Sequence, residues 1–130
     1  MGTLEPLQPS GVATPLGHLS NAVRSGNWLS VAGLVALDEQ GTLVGRGSAR
    51  EQTLHICRVL ERICEQYGGD LTNVARCVVF LTDRADYQAF NAAFAEVFGE
   101  HKPARATVIA DLVSEDFLVE IVSDVVLPAS

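Results

Sequence analysis

Two stretches of this chain are apolar on both of their alternating faces, and that pattern constrains the fold more than any other. In Trp28 to Leu37, the residues Trp28, Ser30, Ala32 and Leu34 alternate with Leu29, Val31, Gly33 and Val35, and neither set is charged. Val74 to Thr82 repeats the pattern, with Val78 and Phe80 against Cys77, Val79 and Leu81. Successive residues of a strand point to opposite sides, so such strands need apolar cover on both faces of their sheet. The spacing elsewhere predicts two helices. The first opens at Ser48, three residues before Glu51, in the pattern of a capping box. Thr53, Ile56, Cys57, Leu60, Ile63, Cys64 and Tyr67 then share one face, and Gly68-Gly69 end it. The second opens in Asp83 to Asp86, gathers Tyr87, Phe90, Phe94, Val97 and Phe98, and stops at Gly99. Two helices suffice for one face of a sheet. The other face calls for a second copy of the chain, so patterning alone predicts a homo-oligomer.

Further strands are expected at Leu19 to Arg24, Arg105 to Leu112 and Leu118 to Leu127, with a short return strand at Thr42 to Val44 after the turn Asp38 to Gly41. The fold class that follows is α/β: one domain, 18–130, with a mixed sheet and two helices on one face. Residues 1–17 carry Pro6, Pro9 and Pro15 among Gly2, Gly11 and Gly17, and read as an irregular arm. A length of 130 residues suits a single domain, and a 48% apolar composition suffices for a core without staples. Three cysteines without a CxxC pair give no disulfide framework. The first ten residues lack the charged and apolar regions of a secretory signal, and no apolar run approaches the ~20 residues of a membrane span. A cytoplasmic protein is expected. The net charge is −7, with eight scattered arginines and the single lysine Lys102, which argues against a nucleic-acid partner.

The chemistry points to the last two strands. Arg105 and Thr107 share a face of Arg105-Ala106-Thr107-Val108, and Glu120 stands alone among the apolar residues of Leu118-Val119-Glu120-Ile121-Val122. A lone charge in an otherwise buried strand is costly unless it is paired or functional. A guanidinium fork suits a substrate carboxylate, and a neighbouring carboxylate can position or activate water. A plain salt bridge between the two, within or between subunits, is the rival explanation.

The segment Pro103-Ala104-Arg105-Ala106-Thr107-Val108, followed by Val119-Glu120-Ile121, resembles the C-terminal signature of the YjgF/RidA family of reactive intermediate deaminases. Gly26 to Gly33, Gln52-Thr53, Val74 to Leu81, Phe90-Asn91 and Phe94 to Phe98 match further family landmarks in order, from about Leu19 to Val126. The resemblance implies a chorismate-mutase-like α/β fold and a homotrimer with clefts between subunits. It also implies hydrolysis of enamine or imine intermediates of small carboxylic acids to a 2-oxo acid and ammonia. In that setting Arg105 matches the carboxylate anchor and Glu120 the acid that positions water. Gly33 and Thr107 match positions whose backbone lines the pocket, and Asn91 the helix asparagine near it. No metal or organic cofactor is implied, because an imine carbon is already electrophilic.

The chain departs from the family pattern at its pocket. Leu19 replaces the usual tyrosine, Ala32 the usual serine, and Thr107 a common cysteine. Two hydroxyls are lost and apolar surface is gained, which suggests a bulkier or more apolar acid, as for the aminomuconate deaminases. His18, beside Leu19, is expected at the cleft rim as a possible ligand contact. Cys57, Cys64 and Cys77 read as core, and His18, His55 and His101 lack metal-ligand spacing. Asp111 and Asp124 read as strand-end or solvent-facing charges, Asp83 and Asp86 as helix-start charges, and Trp28 as core or interface packing. A non-catalytic sensor that uses Arg105 to hold a carboxylate metabolite is the alternative function. A ribonuclease, a label the family has carried, fits the acidic charge least.

Overall fold

Side-chain alternation explains how the sheet is built, and one interruption of it explains the site. The computed structural model describes residues 3–129; residues 1, 2 and 130 of the expected arm and domain lie outside that range. Six strands form one mixed sheet: β1 (Glu5–Leu7), β2 (Ala22–Ser25), β3 (Trp28–Leu34), β4 (Val74–Leu81), β5 (Ala104–Ile109) and β6 (Val119–Val126). Their spatial order is β1-β2-β3-β6-β4-β5. All pairs are antiparallel except β4 with β5. The helices α1 (Ala49–Gln66) and α2 (Tyr87–Phe98) pack against each other on one face. Strand order and helix number thus bear out the α/β class.

The core lies between helices and sheet. Leu29, Val31, Cys77, Val79, Leu81, Val119, Ile121 and Val125 meet Ile56, Leu60, Ile63, Phe90 and Phe94, all buried. Among the described residues, no helix covers the opposite face. Val78, Phe80, Val122 and Val126 are only half-buried there, and Trp28 and Val108 are exposed.

Strict alternation fails in β3. Ser30 pairs with Asp124 and Val31 with Ser123, but Leu34 pairs with Ile121, so three steps along β3 match two along β6. This bulge at Ala32-Gly33 returns Leu34 to the core beside Leu29 and Val31, on the face opposite to the one simple alternation assigns it. Other boundaries shift modestly. Thr42 to Val44 forms only a bridge, Leu43 to Leu37. The strand expected from Leu19 begins at Ala22, because Asn21 is taken up by the arm: its Nδ2 donates to Gln8 Oε1 (3.1 Å) and to the Ala13 carbonyl (2.9 Å). The arm is itself partly regular, since Glu5–Leu7 adds an edge strand to β2. Of the expected capping box one half forms: Ser48 Oγ accepts from the Glu51 N–H at 3.1 Å. The Ser48 N–H donates instead to the Gly45 carbonyl at 2.9 Å.

Candidate active site

Arg105 and Glu120 lie on opposite faces of the sheet. Arg105 pairs with Cys77, whose side chain is in the core, so it points to the helix face. Glu120 pairs with Phe80 and alternates with buried Val119 and Ile121, so it points to the open face. β4 runs between their two strands. Within one chain the two therefore share neither a site nor the salt bridge that was the rival explanation: the ion pairs among described residues are Arg46–Asp116, Arg50–Glu96 and Arg58–Glu61. Through β4, Arg105 is level with Cys77 and Glu120 with Phe80, an odd number of positions apart, so their side chains take opposite faces.

Each residue instead anchors a half-site of its own. Arg105 leaves the edge strand β5 beneath α2. Its Cζ lies 5.1 Å from the Phe90 ring centre and 5.0 Å from that of Phe94. Its Nη2 donates to Asn91 Oδ1 at 2.9 Å and to the Tyr87 hydroxyl at 3.0 Å. Helical spacing makes this cradle, since positions 87, 90, 91 and 94 fall on one side of α2. The aromatic faces attract the cation, and the two acceptors fix its plane. A cavity of about 430 Å³ opens beside it, walled by Asn91, Phe94, Phe98, His101 and Pro103 among others. Thr107 follows Arg105 on the same face, outside that wall.

Glu120 stands in the second half-site, a cavity of about 470 Å³ walled by the arm from Val12 to Gly17 and by Leu19, Ala32, Gly33, Leu34, Val113 and Phe117. Four expected residues therefore come together here: Glu120, Gly33, Ala32 and Leu19. Gly33 leaves room for the Glu120 carboxyl in its present position. A Cβ there would lie 2.9 Å from Glu120 Cδ and closer still to Oε2. Burial pushes the Glu120 carboxyl above its ordinary value, and no cation offsets that effect. The wall is mainly apolar, with Leu16 94%, Val113 96% and Leu19 54% exposed in the single chain. His18 is exposed and lines neither cavity.

Two residues, to which the sequence patterns gave no role, hold the loops around the half-site. Gln52 is fully buried in α1; its Nε2 donates to the Gly45 and Asp116 carbonyls (3.2 and 3.0 Å), and its Oε1 accepts from the Leu118 N–H (2.9 Å). It holds the loop that leads into Glu120. Asn21 holds the arm. A fully satisfied buried amide is a costly residue to place, and an amide on the core side of a helix was the available signal. No group of three His, Cys, Asp or Glu side chains among the described residues is gathered for a metal. Among the described residues, no helix is long and apolar enough to cross a membrane.

Residues 11–127 match the model of the family described as Endoribonuclease L-PSP, which includes the YjgF and RidA proteins. The chain belongs to the YjgF/RidA family. Among its relatives, the 3-aminoacrylate deaminase RutC of Acinetobacter baylyi is 39% identical over 119 residues, which cover 92% of this chain and 94% of RutC. RidA from an Antarctic Psychrobacter species superimposes with a TM-score of 0.86 at 30% identity, covering 95% of this chain and 99% of that one. A YjgF-family protein of Neisseria meningitidis gives 0.78 at 27%, with 98% of each chain covered. The YjgF/RidA fold thus accounts for nearly the whole chain.

Proposed function

We propose that this YjgF/RidA protein is a hydrolytic deaminase of enamine and imine intermediates of carboxylic acids, acting as a homotrimer in the cytoplasm. One observation carries the reading: Arg105 and Glu120, each set in a half-site, face opposite sides of one sheet. Two such halves complete each other when Arg105 of one subunit meets Glu120 of the next. The uncovered apolar sheet face supports that assembly. The family, and the printed activity of RutC, support the reaction type. Three buried, unbridged cysteines support a reducing compartment.

In this reading Arg105 holds the carboxylate through the donors its protein partners leave free. Glu120 accepts a proton from water as the water oxygen bonds to the imine carbon. That proton passes to nitrogen, giving a carbinolamine; the hydroxyl proton is then transferred to nitrogen through Glu120 as the C–N bond breaks and C=O forms, so ammonia leaves with a 2-oxo acid behind. The balance is C=N plus water to C=O plus ammonia. Burial makes the Glu120 carboxylate a stronger base than a solvated one, which suits both transfers. No metal or cofactor takes part. Leu16, Leu19, Val113 and Phe117 beside Glu120 support a substrate with an apolar side chain.

The test generates imino acids from amino acids with an oxidase and follows ammonia release. Acceleration that disappears in Arg105→Ala is expected, greater for leucine-derived than for alanine-derived imine. Equal rates across small and large imines would remove the apolar-substrate reading. Carboxylate binding without any acceleration would replace the enzyme with a sensor.

A further inference from the structure

Tyr87 belongs, by spacing, to the apolar face of α2, yet it is 40% exposed and its hydroxyl reaches Arg105. A guanidinium can only donate, so the phenol oxygen accepts that hydrogen bond. The phenol proton then has no acceptor among the described residues. Asn91 is in the same state. Its Oδ1 accepts from Arg105, which turns its Nδ2 donors away from the guanidinium. Arg105 keeps Nε and Nη1 without a protein partner among the described residues. Four donor groups on three side chains joined to one another through Arg105 Nη2 are therefore left over, at the rim of the cavity that Asn91 and Arg105 line, and no carboxylate among the described residues answers them. Leu19, in the other half-site, offers no hydroxyl.

We propose that Tyr87 is a further substrate-binding residue, whose phenol O–H donates to the carboxylate that Arg105 anchors. This rests on the reading of Arg105 as a carboxylate anchor, but not on hydrolysis. The hydroxyl accepts from the guanidinium and donates to the anion in one chain of hydrogen bonds, and the second bond is charge-assisted. The Tyr87 ring, 6.3 Å from that of Phe90, keeps the phenol in place.

Calorimetry with pyruvate and with pyruvamide, on the full chain, tests this. Tyr87→Phe keeps the ring and removes the hydroxyl. It is expected to weaken pyruvate about tenfold, the scale of one hydrogen bond to a charged group. Pyruvamide binding, melting temperature and assembly size stay as in the parent. With an imine substrate, KM rises while kcat stays within about twofold, since the anchor is made equally in ground and transition states. In an Arg105→Lys background, Tyr87→Phe still weakens pyruvate; loss of the effect there would mean that Tyr87 only steadies Arg105, and would overturn the proposal. Pyruvate binding unchanged by Tyr87→Phe, or absent in the parent, overturns it as well. Pyruvate binding without imine hydrolysis sinks the deaminase reading alone and leaves Tyr87 to be judged on affinity. If the variant does not fold, carbon-13 labelling of the phenol carbon decides. The chain has two tyrosines, and only the Tyr87 signal is expected to move with pyruvate and not with pyruvamide.

Discussion

Chains carrying Arg105→Ala and chains carrying Glu120→Gln are expected to be inactive apart and active together. The two side chains face opposite sides of one sheet with β4 between their strands, so no single chain can close a site around both. In the proposed ring, each cleft would take Arg105 from one subunit and Glu120 from its neighbour. With equal amounts and random assembly, half the clefts have an intact first residue and half of those an intact second, so about a quarter of the parental activity returns. Each single variant lacks at least one charged hydrogen bond, worth about 1.5–3 kcal/mol, or roughly ten- to a hundredfold in rate. The restored quarter therefore stands above the background. Co-expression with two different tags, tandem purification and ammonia release measure it, and native mass spectrometry verifies that the oligomers are mixed. Mixed oligomers no more active than the separate variants would refute the shared cleft.

Gly33→Ala places a methyl group against Glu120, and a misplacement of about 1 Å in a catalytic group can cost on the order of a hundredfold in rate; kcat should fall while circular dichroism stays native. Glu120→Gln removes a desolvated charge. Since burial raises the folded-state pKa, the parent binds its proton more tightly folded than unfolded, and its stability falls as pH rises from the ordinary carboxylate value through the raised one. The variant's melting temperature should therefore gain on the parent's across that window, and the parent's activity should decline on acidification through it. Cys57 and Cys64, both pushed up to about 12 by burial, should resist iodoacetamide at pH 8 in the native protein and react once it is unfolded in urea. Equal labelling in both states would contradict that burial.

Helix positions and the central strands were legible because their signals are local. Ser48 caps α1, Gly68 takes the left-handed φ of +88° beyond its end, and the apolar faces recur at fixed spacing. The membership of the Glu120 half-site was also legible, through the register that Gly33, Ala32 and Leu19 share with the family. What escaped is what depends on non-local pairing. Which face Arg105 takes is decided by its register with Cys77, a strand-to-strand choice that neither segment announces. The bulge in β3 has no distinctive residue except Gly33, and it overrode a regular alternation. Tyr87 looked like an ordinary member of its helix face, and Gln52 stood only as a landmark without a role, because a hydroxyl or an amide shows its role only once its partners are in place.

The bulge in β3 also limits how this chain can change. The extra residue separates two registers, and deleting one residue at Ala32-Gly33 would bring them into one. Leu34 would then stand two residues after Val31 and keep Ile121 as its partner, so plain alternation would leave it in the core with Leu29 and Val31. What the deletion removes is the turn of backbone that makes room for Glu120. The core would accept the shorter strand; it is the pocket that holds this length.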